Sequence, residues 1–101
     1  MSFDSRRAIE RLFGAYFNQD WEMDAESPDE VIEQFIRDGI YPGHLSAIAD
    51  GLDAWAAQFG DDAALEDALY KDLGGYYCPS AHGLNARLWV QHVASRLRSA
   101  E

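Results

Sequence analysis

Leu45, Ile48, Leu52, Trp55 and Phe59 recur at alternating steps of three and four residues, and this spacing constrains the fold more than any other feature of the chain. On an α-helix the five side chains line one face, whereas on a strand they would scatter to both. Pro42 is expected to open this helix and Gly60 to end it. The same period and punctuation recur elsewhere. Ile9, Leu12, Phe13 and Tyr16 make one apolar face of a helix expected over 5–17, with Arg6, Arg7, Glu10 and Arg11 opposite. Gly14 costs that helix about 1 kcal/mol relative to Ala and can let a neighbouring backbone come close.

The clearest helix start is Ser27-Pro28-Asp29-Glu30, which supplies a capping hydroxyl, a proline at the first helical position and a glutamate for a capping box. Val31, Ile32, Phe35 and Ile36 follow as its buried stripe, and Gly39 is the expected stop. Asp61 or Asp62 caps a fourth helix carrying Leu65, Ala68, Leu69 and Leu73, closed by Gly74-Gly75. Tyr76 to Gly83 contains Pro79 and reads as a loop. Asn85 caps the last helix, with Leu88, Trp89, Val93 and Leu97 expected inward and Arg87, Arg96 and Arg98 on or near the outer face. No stretch alternates long enough to demand a strand. The expected fold class is therefore all-α: a compact, irregular bundle of about five short helices, with residues 1–101 as a single domain.

Hydrophobic residues make up 48% of the chain, enough to fill a core and to argue against global disorder. Charge is more selective. Eighteen acids against eight bases leave a formal net charge of −10 at pH 7, which repels phosphates and anionic lipids and favours cationic partners. The bland alternative is that the acids simply keep the protein in solution. Cys78 is the single cysteine, so no internal disulfide can form. The first residues lead into no apolar stretch of a secretory signal, and no apolar run approaches the roughly 20 residues needed to span a bilayer. The expected location is the cytoplasm.

Sites of chemistry are hard to find. The run from Asp20 to Glu26 alternates acids as a calcium loop does, but Ala25 stands where that loop needs Gly and Val31 where it needs Glu. Cys78 and His82 have a tolerable spacing for zinc, but His44 and His92 do not make the second pair such a site needs. No family signature surrounds Cys78 as a nucleophile, and Gly74-Gly75 follows a helix, so it is no phosphate loop. The expectation is a protein that is not an enzyme, with no cofactor and no metal.

What stands out is where the acids lie. Asp20, Glu22, Asp24, Glu26, Asp29, Glu30 and Glu33 occur with no base among them. Asp50, Asp53, Asp61, Asp62, Glu66, Asp67 and Asp72 form a second set in which Lys71 is the sole base. If the two share a face, they make a strongly negative surface able to steer a basic partner. Steering alone does not give tight binding, which usually needs desolvated aromatic anchors. Trp21, Tyr41, Tyr76 and Tyr77 sit in expected loops or helix ends and are candidates, although a small core needs its aromatics too. The candidate partner-binding residues are Trp21, Glu22, Asp24, Glu26, Glu30, Glu33, Asp61, Asp62, Tyr76 and Tyr77.

Three stretches carry a resemblance: Leu12-Phe13-Gly14-Ala15-Tyr16-Phe17-Asn18-Gln19-Asp20-Trp21, then Ser27-Pro28-Asp29-Glu30-Val31-Ile32-Glu33-Gln34-Phe35, then Leu73-Gly74-Gly75-Tyr76-Tyr77-Cys78-Pro79 with Gly83-Leu84 and Leu88-Trp89-Val90. In this order the chain resembles the small helical immunity proteins of bacterial contact-dependent growth inhibition systems. The resemblance implies a cytoplasmic inhibitor, encoded beside a surface-delivered toxin, that binds the cognate toxin domain one to one. Toxins of such systems are often nucleases, whose basic clefts suit an acidic inhibitor, so the expected action is to cover the toxin's basic active-site region. No direct nucleic-acid or membrane partner is expected. Two other readings compete: an acidic protein-interaction or adaptor module unrelated to a toxin, and a small hydrolase using Cys78 or an acid pair.

Overall fold

A computed structural model of the chain describes residues 3–100, apart from the side chain of Asp24. Among the described residues there is no strand. The helices are α1 (Ser5–Arg11), α2 (Trp21–Asp24), α3 (Pro28–Asp38), α4 (Leu45–Ala56), α5 (Asp62–Lys71) and α6 (Ala86–Ser99). A π-helical turn, Leu12–Tyr16, continues α1, and a short 3₁₀ turn, Pro79–His82, precedes α6. The protein is thus an all-α compact bundle, as its periodicity predicts. Its largest helix contact is α4 against α6; α1 packs on α4, α5 on α6, and α3 on both the π turn and α6.

Several elements differ from expectation for local reasons. The first helix loses α geometry after Arg11, and the Phe17 amide donates to the Leu12 carbonyl, five residues back, at 3.2 Å. Gly14 lies in this turn, where a Cβ would stand 3.3 Å from the Leu73 carbonyl oxygen. The backbone approach that a glycine permits is therefore made. Pro42 does not open α4: it stands in the turn before it, the helix begins at Leu45 and ends at Ala56, and Phe59 packs on the core from beyond the end. The Phe59 amide turns back to the Ala56 carbonyl, so the periodic spacing outlasts the helix by a short turn. Trp21–Asp24 adds a helical turn that the alternating acids do not announce.

The cap at Ser27 forms as read. Its hydroxyl accepts from the Glu30 amide at 3.3 Å, while the Glu30 carboxylate reaches back to the Glu26 amide, one residue earlier than in the usual box. Gly39 stops α3 in the left-handed conformation with φ of 58°. Gly51 sits where α4 crosses α1: a Cβ there would lie 2.9 Å from that of Ser5, closer than two side chains tolerate.

Leu88 departs most from expectation. It is 66% exposed, while Trp89, Val93 and Leu97 are buried as anticipated. With about 100° per residue, Ala86, Trp89, Val90, Val93, Ala94 and Leu97 share one side of α6, and Leu88 points nearly opposite.

The centre of the core is aromatic. Phe17 is fully buried and contacts Phe13, Trp21, Tyr77 and Trp89 with ring centroids 5.5–5.9 Å apart. Tyr77 and Trp89 close the cluster at 4.6 Å. Such pairs add about 0.5–1.5 kcal/mol each beyond the area they bury. This cluster ties the π turn, α2, the 76–83 segment and α6 together, and so fixes the surface on which the first acidic run is displayed.

Candidate partner interface

Trp21 and Tyr77 are 6% and 5% exposed and belong to that cluster, so the structure places both in the core rather than at the surface. Burial, and after it the charge of Asp29, raises the Tyr77 phenol above its ordinary range. Tyr76 is half exposed and meets Tyr70 edge to face at 5.1 Å; its hydrogen bond with Tyr70 raises its own phenol. Tyr41 is partly buried against Phe35 and Phe3.

The carboxylates divide sharply. In the run from Asp20 to Glu33, the side chains of Asp20, Glu22 and Glu26 are exposed and form no hydrogen bond or ion pair among the described residues. The side chain of Asp24 lies outside those described. Asp29 meets His92 Nε2 at 2.7 Å, Glu30 holds the Glu26 amide, and Glu33 pairs with Arg37 at 3.4 Å and with Arg96. Beside this run a cleft of about 440 Å³ opens between the π turn and α3, walled by Tyr16, Asn18, Glu30, Glu33 and Arg37. At its edge Tyr16 donates to Asp38. Burial, aided by that bond, pushes the Tyr16 phenol up to about 12, and the same bond, with one from Gln34, holds the Asp38 carboxyl below the usual range.

Every described acid of the second set is engaged. Arg98 donates to both Asp50 and Asp53 at 2.7 Å, and Lys71 pairs with Asp67 at 2.9 Å. Asp61 caps α5 through the Ala63 amide at 3.3 Å. Asp62 turns away from its own helix and accepts from the Ala86 and Arg87 amides, each at 2.9 Å, capping α6 across the fold. Glu66 accepts from the Ser80 amide and hydroxyl at 2.7 and 2.8 Å, securing the loop before α6. Asp72 accepts from Trp55 Nε1 at 2.7 Å and from Arg6 at 2.9 Å; these two donors hold its carboxyl below the usual range.

The two runs do not merge into one face along the end of α6. Arg96 reaches Glu33 on α3 and Arg98 reaches Asp50 and Asp53 on α4. Two positions apart on a helix is about 200° of rotation, so α3 and α4 flank α6 on opposite sides.

Leu84 precedes α6 and so falls outside its period, and Leu88, expected inward, is exposed. They line an apolar groove of about 530 Å³ with Pro28, Asp29, Trp89 and His92. A helical wheel of 86–97 separates Leu88 from the buried set, so the signal is present in the sequence. Cys78 is exposed, with Sγ 3.6 Å from Ser80 Oγ, while His82 stacks on Tyr77 at 5.3 Å. Among the described residues no group of three or more His, Cys, Asp or Glu side chains is placed to hold a metal ion, and no helix is long and apolar enough to cross a membrane.

A rigid helical scaffold that ties up one acidic set internally and leaves part of another free has the make-up of a protein-binding domain. The chain belongs to the CdiI immunity protein family, whose model matches residues 5–97. It is accordingly a toxin-neutralising immunity protein that binds a cognate toxin protein. Comparison with curated proteins and with solved structures finds no match.

Proposed function

We propose that this protein, acting as a single domain, neutralises a nuclease toxin in the cytoplasm by forming a one-to-one complex over its basic active-site region, and that it has no catalytic activity of its own. One observation carries the choice of surface: Asp20, Glu22 and Glu26 are unpaired among the described residues, whereas all seven acids from Asp50 to Asp72 are engaged within the fold. A nuclease holds substrate phosphates with cations, and carboxylates presented at those cations compete for the same charge. Free carboxylates can do this without first giving up internal partners. Engaged ones would leave a helix end, a loop amide or a basic side chain without its partner.

The test is co-expression with the toxin domain encoded immediately upstream. Cells that make the folded protein should survive, and the purified pair should elute together at equal stoichiometry with the toxin's nucleolytic activity abolished. Death of cells containing abundant folded protein overturns the reading. A toxin that cuts no nucleic acid overturns its nuclease part.

A further inference from the structure

We propose that the groove between the start of α3 and the start of α6 is the seat for an apolar side chain of the toxin, held next to a lysine or arginine that pairs with Asp29. The proposal rests on the functional reading above and deepens it by naming where affinity, as distinct from electrostatic steering, resides.

Leu88 occupies a position the core does not use, since the buried side of α6 points nearly the opposite way, and it is 66% exposed. Leu84, 47% exposed, stands one turn earlier. Both line the groove together with Pro28 and with Trp89, itself braced by Tyr77 at 4.6 Å. The groove's volume of about 530 Å³ falls within the range of pockets that take bound groups, about 300–1,000 Å³. A groove lined by a packed aromatic ring and aliphatic side chains gains most when an inserted side chain expels its water.

Charge defines the occupant. The groove is lined by no lysine or arginine, and its single acid is Asp29. Asp29 meets His92 through Oδ1 alone, leaves Oδ2 without a partner among the described residues and is 56% exposed. Glu26, whose carboxylate is unpaired among the described residues, immediately precedes Ser27 in the chain. An apolar group flanked by a cation fits that rim, and a partner with a basic surface presents such pairs. The other exposed apolar pair, Tyr70 and Tyr76, lacks this complement. Beside it, Glu66 has both oxygens taken by Ser80, and Asp67 is already paired with the cation of Lys71.

The experiment follows binding of the full chain to the purified toxin domain encoded upstream, reading association and dissociation rates separately. Leu88→Ser should speed dissociation about ten-fold, and Leu84→Ser with Leu88→Ser further, with association changed less than about two-fold. Leu88→Met should retain slow dissociation, and Tyr70→Ser should leave both rates near wild type. Because both leucines are exposed, the variants should keep the helical circular dichroism of the parent. Unchanged dissociation in the double serine variant, with tight wild-type binding intact, overturns the groove and leaves the functional reading standing. Failure of the wild type to bind overturns both. If the wild type is a dimer that the double variant converts to monomer, a second copy is the occupant and this proposal is wrong.

Discussion

The acidic runs at 20–33 and at 50–72 are alike in number of carboxylates and unlike in what those carboxylates do. In the second, Asp62 caps α6, Glu66 fastens the loop before it, Asp72 joins α1 to α4 through Arg6 and Trp55, and Asp50 and Asp53 share Arg98. In the first, the carboxylates of Asp20, Glu22 and Glu26 form no hydrogen bond or ion pair among the described residues. The difference teaches that a charge run in a sequence is not yet a charged surface. The donors that quench the second run come from within it, as Lys71 and the Ala63 amide do, from the segment leading into α6, and from Arg6 and Arg98 near the two ends of the chain. Those that reach the first run stop at Asp29, Glu30 and Glu33.

The largest expected difference is in stability. Asp62→Ala removes two charge-assisted acceptors from the α6 N-terminus and should destabilise the protein by about 1–3 kcal/mol. Glu22→Ala and Glu26→Ala should each change stability by less than about 0.5 kcal/mol. Urea denaturation measures both. Equal effects would erase the division between structural and free acids.

Reversing the free charges should show in binding instead. Glu22→Lys with Glu26→Lys should slow association with the toxin about ten-fold at low salt, an effect that fades as ionic strength rises past the Debye regime. Asp67→Lys changes the surface by an equal charge for each site altered, on the opposite run, and should alter association less than about two-fold. Stopped-flow association at two salt concentrations decides the matter. A larger effect at Asp67 would move the interface to the α5 side.

Much of this was open to sequence reasoning, and the parts that were not have identifiable causes. The caps at Ser27, Asp61 and Asn85 are local, each bonding within three residues; those at Ser27 and Asn85 form where sequence places them, and of the two candidates Asp61 and Asp62 it is Asp61 that caps α5. The apolar faces of α3, α4 and α5 are likewise set by period. Pairing across the fold is not local: nothing near Asp62 announces amides 24 and 25 residues away, nor does Asp72 announce Trp55 and Arg6. Trp21 and Tyr77 mislead for a related reason. Their loop-like surroundings point outward, but a core of this size draws its rings from wherever the chain passes Phe17. Leu88 is legible by its angle: it lies about 100° from its neighbour Trp89 and nearly opposite the buried side of α6, so adjacency to a core tryptophan does not make it core.

The smallest effect expected is a dependence on acid that traces to Asp72. Its carboxyl is lowered by the Trp55 indole and then by Arg6. A carboxyl lower in the folded than in the unfolded chain binds fewer protons when folded. Its contribution is therefore complete above the unfolded value, about 3.9, and is lost as pH falls through the lower folded value. The side chain is 43% exposed, so solvent and salt screen the pair and the contribution should stay below about 1 kcal/mol. Asp72→Asn keeps an oxygen that can accept from Trp55 but has no charge to lose. The variant should be slightly less stable than the parent at pH 7, and its urea midpoint should fall less steeply between about pH 5 and pH 2. Parallel curves for variant and parent would mean that Asp72 holds α1 to α4 by geometry alone.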